Sequence, residues 1–177
     1  MLRKKKKNCW NGIGDIVNYE INKLITGFWA LPRPIGKYRI RHPDELLVRL
    51  EALIGPYKDK DILHLFCGIA KFPNAKKEVR IDINPDVKPD IVLDLTKDRI
   101  PFDDNTFDIV YADPPYYDFK PYSFVKEAVR VLKPNGFLVI LHQLVYKTPE
   151  HTKRWAVIGI STGPNMRLRA LNIFRKM

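Results

Sequence analysis

The sequence predicts an α/β domain built on a mainly parallel sheet. Three observations carry that expectation. Short apolar, β-branched runs follow one another closely from residue 61 onward, helical stretches stand before the first run and before the fifth, and Gly, Pro, Asn and Asp punctuate the joints. The chain has 177 residues, 45% of them hydrophobic and 11% aromatic, which is enough for one domain with a real core and too apolar for disorder.

Residues 1–41 read as a distinct segment, basic and dotted with Trp10, Tyr19, Phe28, Trp29 and Tyr38. A short helix is expected over 15–25, and Leu31-Pro32-Arg33-Pro34 forbids its extension. So much aromatic surface argues that the segment packs on or flanks the main domain, residues 42–177, with Trp10 and Trp29 as packing residues. Stacking of those rings on unpaired bases is the alternative.

From His42 the pattern sharpens. Pro43 suits a first helical turn, Asp44 and Glu45 suit its positive end, and Leu46, Leu47, Leu50, Leu53 and Ile54 share one face until Gly55-Pro56 stops the helix. Strands are expected at 61–66, 79–82, 91–95 and 107–112. A helix over 122–132 ends at the turn Lys133-Pro134-Asn135-Gly136, and strands at 137–142, 155–160 and 168–174 follow, the last two joined through Gly163-Pro164-Asn165. Only 12 residues, Pro73 among them, separate Phe66 from Val79, and the 82–91 connection is equally tight. Helices after the first two strands are therefore minimal.

Several classes are excluded. The longest apolar run, Phe137 to Leu141, is far below the roughly 20 residues of a spanning helix. Lys4, Lys5, Lys6 and Lys7 lead into Asn8, Cys9 and Trp10 rather than an apolar stretch, so no signal peptide is expected. Cys9 and Cys67 suggest neither a disulfide framework nor a metal site, and the expected setting is a reducing cytoplasm. The net charge of +11 is uneven: residues 1–41 hold 10 basic and 2 acidic side chains, residues 42–142 hold 14 and 17, and residues 143–177 hold 7 and 1. Basic flanks around a slightly acidic middle suit a polyanion such as nucleic acid, with simple solubility as the alternative.

In parallel sheets ligands bind beyond the carboxyl ends of the strands. The first strand there runs into Phe66-Cys67-Gly68-Ile69-Ala70, where Gly68 permits a tight turn close to a ligand. The second ends in Asp82, an acceptor for ribose hydroxyls, and the third in Asp94, an acceptor for an adenine amino group. The fourth ends in Asp113-Pro114-Pro115-Tyr116, the sharpest signal in the chain. Two prolines stiffen the backbone and remove amide donors, so Asp113 and its neighbouring carbonyls present acceptors to a planar amino group while Tyr116 offers a stacking face. His142, at a strand end, reads as a polar terminus rather than a base; His42 and His151 read as surface or capping residues.

These residues resemble a class I S-adenosylmethionine-dependent methyltransferase of the group that methylates exocyclic amino groups of nucleobases. Asp61-Ile62-Leu63-His64-Leu65-Phe66-Cys67-Gly68-Ile69-Ala70 resembles the cofactor loop, Asp113-Pro114-Pro115-Tyr116 the catalytic tetrapeptide, and Arg130-Val131-Leu132-Lys133-Pro134-Asn135-Gly136-Phe137 the turn into the fifth strand. His42-Pro43 and the Leu-rich helix are similar to the element upstream of the cofactor loop in amino-methylating DNA enzymes. The resemblance covers about residues 40–175. It implies a Rossmann-like sheet with an antiparallel last strand and S-adenosyl-L-methionine as cofactor. His64, Phe66, Cys67, Gly68, Asp82, Ile83, Asp94, Leu95 and Asp113 would then contact the cofactor. Asp113, Pro114, Pro115 and Tyr116 would perform catalysis; Tyr117 and Phe119 would touch the target base, and Lys4, Lys5, Lys6, Lys7, Arg39 and Arg41 the phosphates.

The implied reaction is methylation of adenine N6 in DNA, because the group tends to carry Asp in the tetrapeptide for adenine and Ser for cytosine. An adenine or guanine amino group in RNA stays open, and a partner subunit could supply specificity in a chain with no room for a large recognition domain. Two rivals stand. Ile100-Pro101-Phe102-Asp103-Asp104-Asn105-Thr106-Phe107-Asp108 resembles a stretch of small-molecule and protein methyltransferases. His64 in place of a common acid and Ala70 in place of a third glycine would suit a silent nucleic-acid-binding subunit.

Overall fold

A computed structural model describes residues 24–31, 45–116, 123–162 and 168–177. Eight strands form one sheet: β1 (Ile25–Leu31), β2 (Asp61–Leu65), β3 (Lys77–Asp82), β4 (Ile91–Val92), β5 (Phe107–Ala112), β6 (Leu132–His142), β7 (Thr152–Thr162) and β8 (Arg169–Lys176). Their order across the sheet is β1-β7-β8-β6-β5-β2-β3-β4. Every pairing is parallel except those of β8, which runs antiparallel to both β6 and β7. The sheet is thus mainly parallel with an antiparallel last strand, as expected.

Two helices, α1 (Leu46–Ile54) and α2 (Val125–Val131), cover opposite faces. Alternation along the strands makes this possible. On β5, Val110 and Ala112 join Leu63 and Leu65 of β2 against Phe124, Val125, Ala128 and Val129. Ile109 and Tyr111 face the other way and pack with Ile62 against Leu46, Leu50 and Ile54 of α1. Burial on both faces explains why these central strands read as nearly continuous apolar runs.

Between β2 and β3 the described backbone contains no helix, and between β3 and β4 only a 3-10 turn, Pro85–Val87. The short connections foresaw this. No helix among the described residues is long and apolar enough to cross a membrane.

Four expectations need correction. The helix placed over 15–25 cannot include its last residue, because Ile25 opens β1; residues 15–23 lie outside the described residues. β1 pairs in register with β7 from Ile25↔Ala156 to Leu31↔Thr162, and buries Trp29 and Leu31 in the α1-side core. The third predicted strand shrinks to Ile91–Val92, since Asp94 opens a tight turn. The helix expected at 122–132 is Val125–Val131, with Tyr122 outside the described residues. Finally, Lys133-Pro134-Asn135-Gly136 is not a turn before the strand but an irregular stretch inside β6: the β5 ladder passes from Phe107↔Leu132 to Ile109↔Phe137. Asn135 takes a positive φ of 63° there. Gly136 is required by crowding, because an added Cβ would lie 2.8 Å from the Asp108 carbonyl oxygen and 2.9 Å from that of Lys133.

Candidate active site

Strand order reverses between β2 and β5: from this seam the sheet grows through β3 and β4 on one side and through β6, β8 and β7 on the other. The crevice beyond such a seam is where open α/β sheets bind ligands. The loop after β2 and the tetrapeptide after β5 both emerge there.

On the β2 side, Phe66 and Gly68 both adopt positive φ, 54° and 50°. For glycine this costs nothing; for phenylalanine it is a strained conformation that the surroundings must hold. The ring of Phe66 meets Phe124 edge-on, with centroids 5.1 Å apart. The amide of Cys67 donates to the Ile81 carbonyl at 3.2 Å, and that of Gly68 donates to Asp82 Oδ2 at 2.9 Å. Asp82 Oδ1 accepts from the Asn84 amide at 2.9 Å, so one carboxylate ties the ends of β2 and β3 together.

Arg80, buried in β3, closes the same loop. Its Nη2 donates to the Gly68 carbonyl at 2.6 Å, and its Nη1 donates to the Lys88 carbonyl at 3.0 Å. Ile83, next to Asp82, is 59% exposed and presents a bare apolar side chain at this edge. Cys67 is buried, and burial lifts its thiol to about 11, which makes it a neutral lining residue near pH 7.

Asp94 does not stand open. Its Oδ1 accepts from the Thr96 hydroxyl at 2.6 Å and the Thr96 amide at 3.0 Å, while Oδ2 faces Lys97 Nζ at 3.0 Å. The Thr96 hydrogen bonds, then Lys97, hold its carboxyl down at about 2. Leu95 turns into the core. His64 is fully buried on the α1 face of β2, where its Nδ1 lies 2.9 Å from Glu78 Oε1 and its ring meets Phe72 and Tyr111 edge-on. Burial keeps the imidazole neutral, down at about 3.

On the β5 side, Asp113 is half-buried at the strand end and Pro114 is buried, whereas Pro115 is exposed. The Tyr116 hydroxyl donates to Asp113 Oδ1 at 3.0 Å, and Arg169 Nη1, at the start of β8, donates to the Tyr116 oxygen at 3.2 Å. Burial raises the Asp113 carboxyl to about 6, against the opposing pull of Arg169 and Tyr116. Burial also raises the Tyr116 hydroxyl, with the Asp113 charge adding to it. The Tyr116 ring meets His142 edge-on at 5.2 Å. His142 Nδ1 accepts from the Leu144 amide at 3.2 Å, so the proton of the neutral ring sits on its other nitrogen. Burial lowers its affinity for a second proton. Asn172, fully buried in β8, fixes the following loop: it donates to the carbonyls of Leu144 and Ala170 at 3.0 and 3.1 Å and accepts from the Tyr146 amide at 2.9 Å.

The described members of the sequence-derived set therefore meet at one seam, apart from His64 and Leu95, whose side chains lie in the core, and Asp94, whose carboxylate caps its own turn. Tyr117, Phe119, Lys4, Lys5, Lys6, Lys7, Arg39 and Arg41 lie outside the described residues. Sequence reasoning missed Arg80, Arg169 and Asn172. An arginine inside the apolar run Val79-Arg80-Ile81 was a usable signal, since such a charge is buried only with partners. Arg169 offered none, being 53 residues from Tyr116. Among the described residues no group of three or more His, Cys, Asp or Glu is placed to hold a metal ion.

The comparisons agree with this geometry. Residues 64–140 match the family model described as a methyltransferase domain. A SAM-dependent methyltransferase from Aquifex aeolicus superposes with a TM-score of 0.52 at 16% identity, over 73% of this chain and 89% of that one. TrmN from Thermus thermophilus gives 0.54 at 14% identity, over 75% and 48%. A Pyrococcus horikoshii protein gives 0.50 at 19%, over 75% and 89%. No curated protein matches in sequence. Residues 64–140 thus resemble a methyltransferase domain, and the fold is shared with these structures. S-adenosylmethionine is the cofactor named for the Aquifex aeolicus protein. The β2–β3 edge fits that cofactor: a turn able to approach it closely at Gly68, an acid at Asp82, and an exposed apolar side chain at Ile83.

Proposed function

We propose that the chain methylates an exocyclic amino group of a nucleobase in nucleic acid, adenine N6 in DNA first among the candidates. The observation that supports this most is Asp113-Pro114-Pro115-Tyr116 at the end of β5, across the seam from the Gly68 loop, with a half-buried carboxylate braced by a tyrosine hydroxyl.

When bound, S-adenosylmethionine supplies an electrophilic methyl group. Everything else falls to the chain. Gly68, Asp82 and Ile83 seat the cofactor. Asp113 and the Pro114 carbonyl accept hydrogen bonds from the target amino group, concentrating electron density on nitrogen and aiming its lone pair; positioning and charge supply most of the rate. An adenine amino group inside a duplex is paired, so the base must be unpaired or flipped out, with Tyr116, Tyr117 and Phe119 as candidate stacking faces. Lys4, Lys5, Lys6, Lys7, Arg39 and Arg41 would hold phosphates without reading sequence, and a partner subunit could add specificity.

The 100–108 stretch that suggested a small-molecule enzyme has a structural role. Arg130 donates to the carbonyls of Ile100 and Phe102 at 2.9 and 2.8 Å and pairs with Asp104 at 2.8 Å, at the end of β5 opposite the seam.

The test is incubation with methyl-labelled S-adenosylmethionine and separate pools of duplex DNA, single-stranded DNA and structured RNA, followed by digestion to nucleosides. Label on adenine N6 is the expected result, and the pool that carries it names the polymer. Label on guanine moves the substrate to RNA. No label in any pool, with cofactor bound, overturns the reading.

A further inference from the structure

Asp113 and its loop do not stand alone at the strand end. Arg169 Nη1 donates to the Tyr116 hydroxyl oxygen at 3.2 Å, and that hydroxyl donates to Asp113 Oδ1 at 3.0 Å. The first group sits at the start of β8, the other two in the loop after β5, and β6 lies between those strands. The three groups therefore form a directional chain, cation to hydroxyl to carboxylate, bridging two separated parts of the sheet.

We infer that Arg169 is a positioning residue for the acceptor carboxylate: its guanidinium holds the Tyr116 hydroxyl, and that hydroxyl orients Asp113 and helps to keep it charged. The inference rests on the reading of Asp113 as the amino-group acceptor. A tyrosine hydroxyl that accepts from a cation is a better donor than an isolated one, because each hydrogen bond in a chain polarises the next. The arrangement also fixes the ring. With its oxygen held by Arg169 and its edge against His142, Tyr116 presents one defined face at the mouth of the seam.

The other described groups facing this cluster do not supply the charge. Tyr111 on β5 is buried and its hydroxyl holds its proton more tightly beside Asp113, and burial favours the neutral ring of His142 on β6, which accepts from the Leu144 amide. Among the described residues, Arg169 is a cation that opposes the burial of Asp113. Removing it leaves a half-buried carboxyl that takes up a proton within the physiological range, and a protonated Asp113 is a poorer acceptor for an amino group.

The experiment is a carbon-13 NMR titration of the aspartate carboxyls in the full chain, with the Asp113 signal identified by its loss in Asp113→Asn. Arg169→Gln is expected to raise the Asp113 midpoint by about one pH unit. Arg169→Lys should restore much of that, and Tyr116→Phe should raise the midpoint too. The double variant should raise it by less than the sum of the two single changes, because both cut the same chain. An unmoved midpoint in folded Arg169→Gln overturns the inference, as does strict additivity. Should Arg169→Gln fail to fold, Tyr116→Phe decides: a midpoint equal to wild type overturns the relay.

Because these midpoints are read on the protein alone, they hold even if no nucleic acid is methylated, so the two readings fail separately. Where the labelled-methyl assay does succeed, the acid limb of its pH–rate profile should move with the midpoint, a shift that a purely structural arginine would not produce.

Discussion

The two sides of the β2–β5 seam are built differently. On the β2–β3 side the polar groups find partners close by in sequence: Asp82 holds the amides of Gly68 and Asn84, and Asp94 holds Thr96 and Lys97. On the β5 side the partners come from far away: Tyr116 is held by Arg169, and the loop around His142 is held by Asn172, 28 residues beyond Leu144. The first side is a set of turns that local chemistry can write. The second exists only after β8 has inserted antiparallel between β6 and β7. On the proposed reading, such a site would couple a locally encoded cofactor cradle to a globally assembled acceptor.

The largest expected effect breaks the acceptor side alone. Asp113→Ala should cut methyl transfer by about 10³-fold while leaving S-adenosylmethionine affinity within a few-fold of wild type, as removal of a single preorganised charge-stabilising group does elsewhere. Labelled-methyl incorporation and calorimetric titration of the cofactor check the two halves of that statement. Full activity in the variant would sink the mechanism.

Asp82→Ala should do the reverse. It strips the acceptor from two backbone amides and, on the proposed reading, from the cofactor's ribose, so affinity should fall by about 10- to 100-fold, with stability falling by about 1–3 kcal/mol as the Gly68 amide loses its partner. A cofactor titration and a urea melt report both. Loss of turnover without loss of affinity would mean that the two sides are not separable.

Stability against pH sharpens the contrast between the site and the core beneath it. His64 is buried neutral, with a folded-state value of about 3 against an ordinary 6.5. An unfolded chain binds that proton first as pH falls, so folding stability should drop between pH 6.5 and 3 at up to about 1.4 kcal/mol per pH unit from this residue. Glu78 and Asp113 act in the opposite sense, since burial raises both: the folded state holds their protons at higher pH than the unfolded state does. Urea melts across that range should show the His64 slope dominating, and His64→Gln should flatten it.

The same division explains what was legible in the sequence. β5 at 107–112 was bounded to the residue because an apolar run buried on both faces needs no distant information, and Asp82 and the tetrapeptide announced themselves at strand ends. β1 was not legible. Its partner in the sheet lies 131 positions away at Ala156, and only Trp29 and Leu31 of its seven residues are buried, so the one-sided apolar pattern is too thin to read. The irregular start of β6 was hidden for another reason: Lys-Pro-Asn-Gly is turn chemistry, and the ladder with β5 simply absorbs it. Arg169 falls in the first category, a side chain whose meaning depends wholly on where another strand ends.

The smallest effect separates two strand-end acids that look alike in sequence. Asp94 titrates at about 2 because Thr96 and Lys97, two and three residues on, hydrogen-bond to its charged form, whereas Asp113 titrates at about 6 because burial penalises its charge. Asp94 contributes stability above its unfolded value near 3.8, and loses it as pH falls toward 2. Thr96→Val should lift the Asp94 midpoint, and Lys97→Ala should lift it less, because that exposed pair is screened by salt. Raising ionic strength in the carbon-13 titration should therefore abolish the Lys97 effect, preserve most of the Thr96 effect and leave Asp113 nearly unchanged. If salt moved Asp113 as much as Asp94, the acceptor carboxylate would be open to solvent, and its burial could not be what sets its proton affinity.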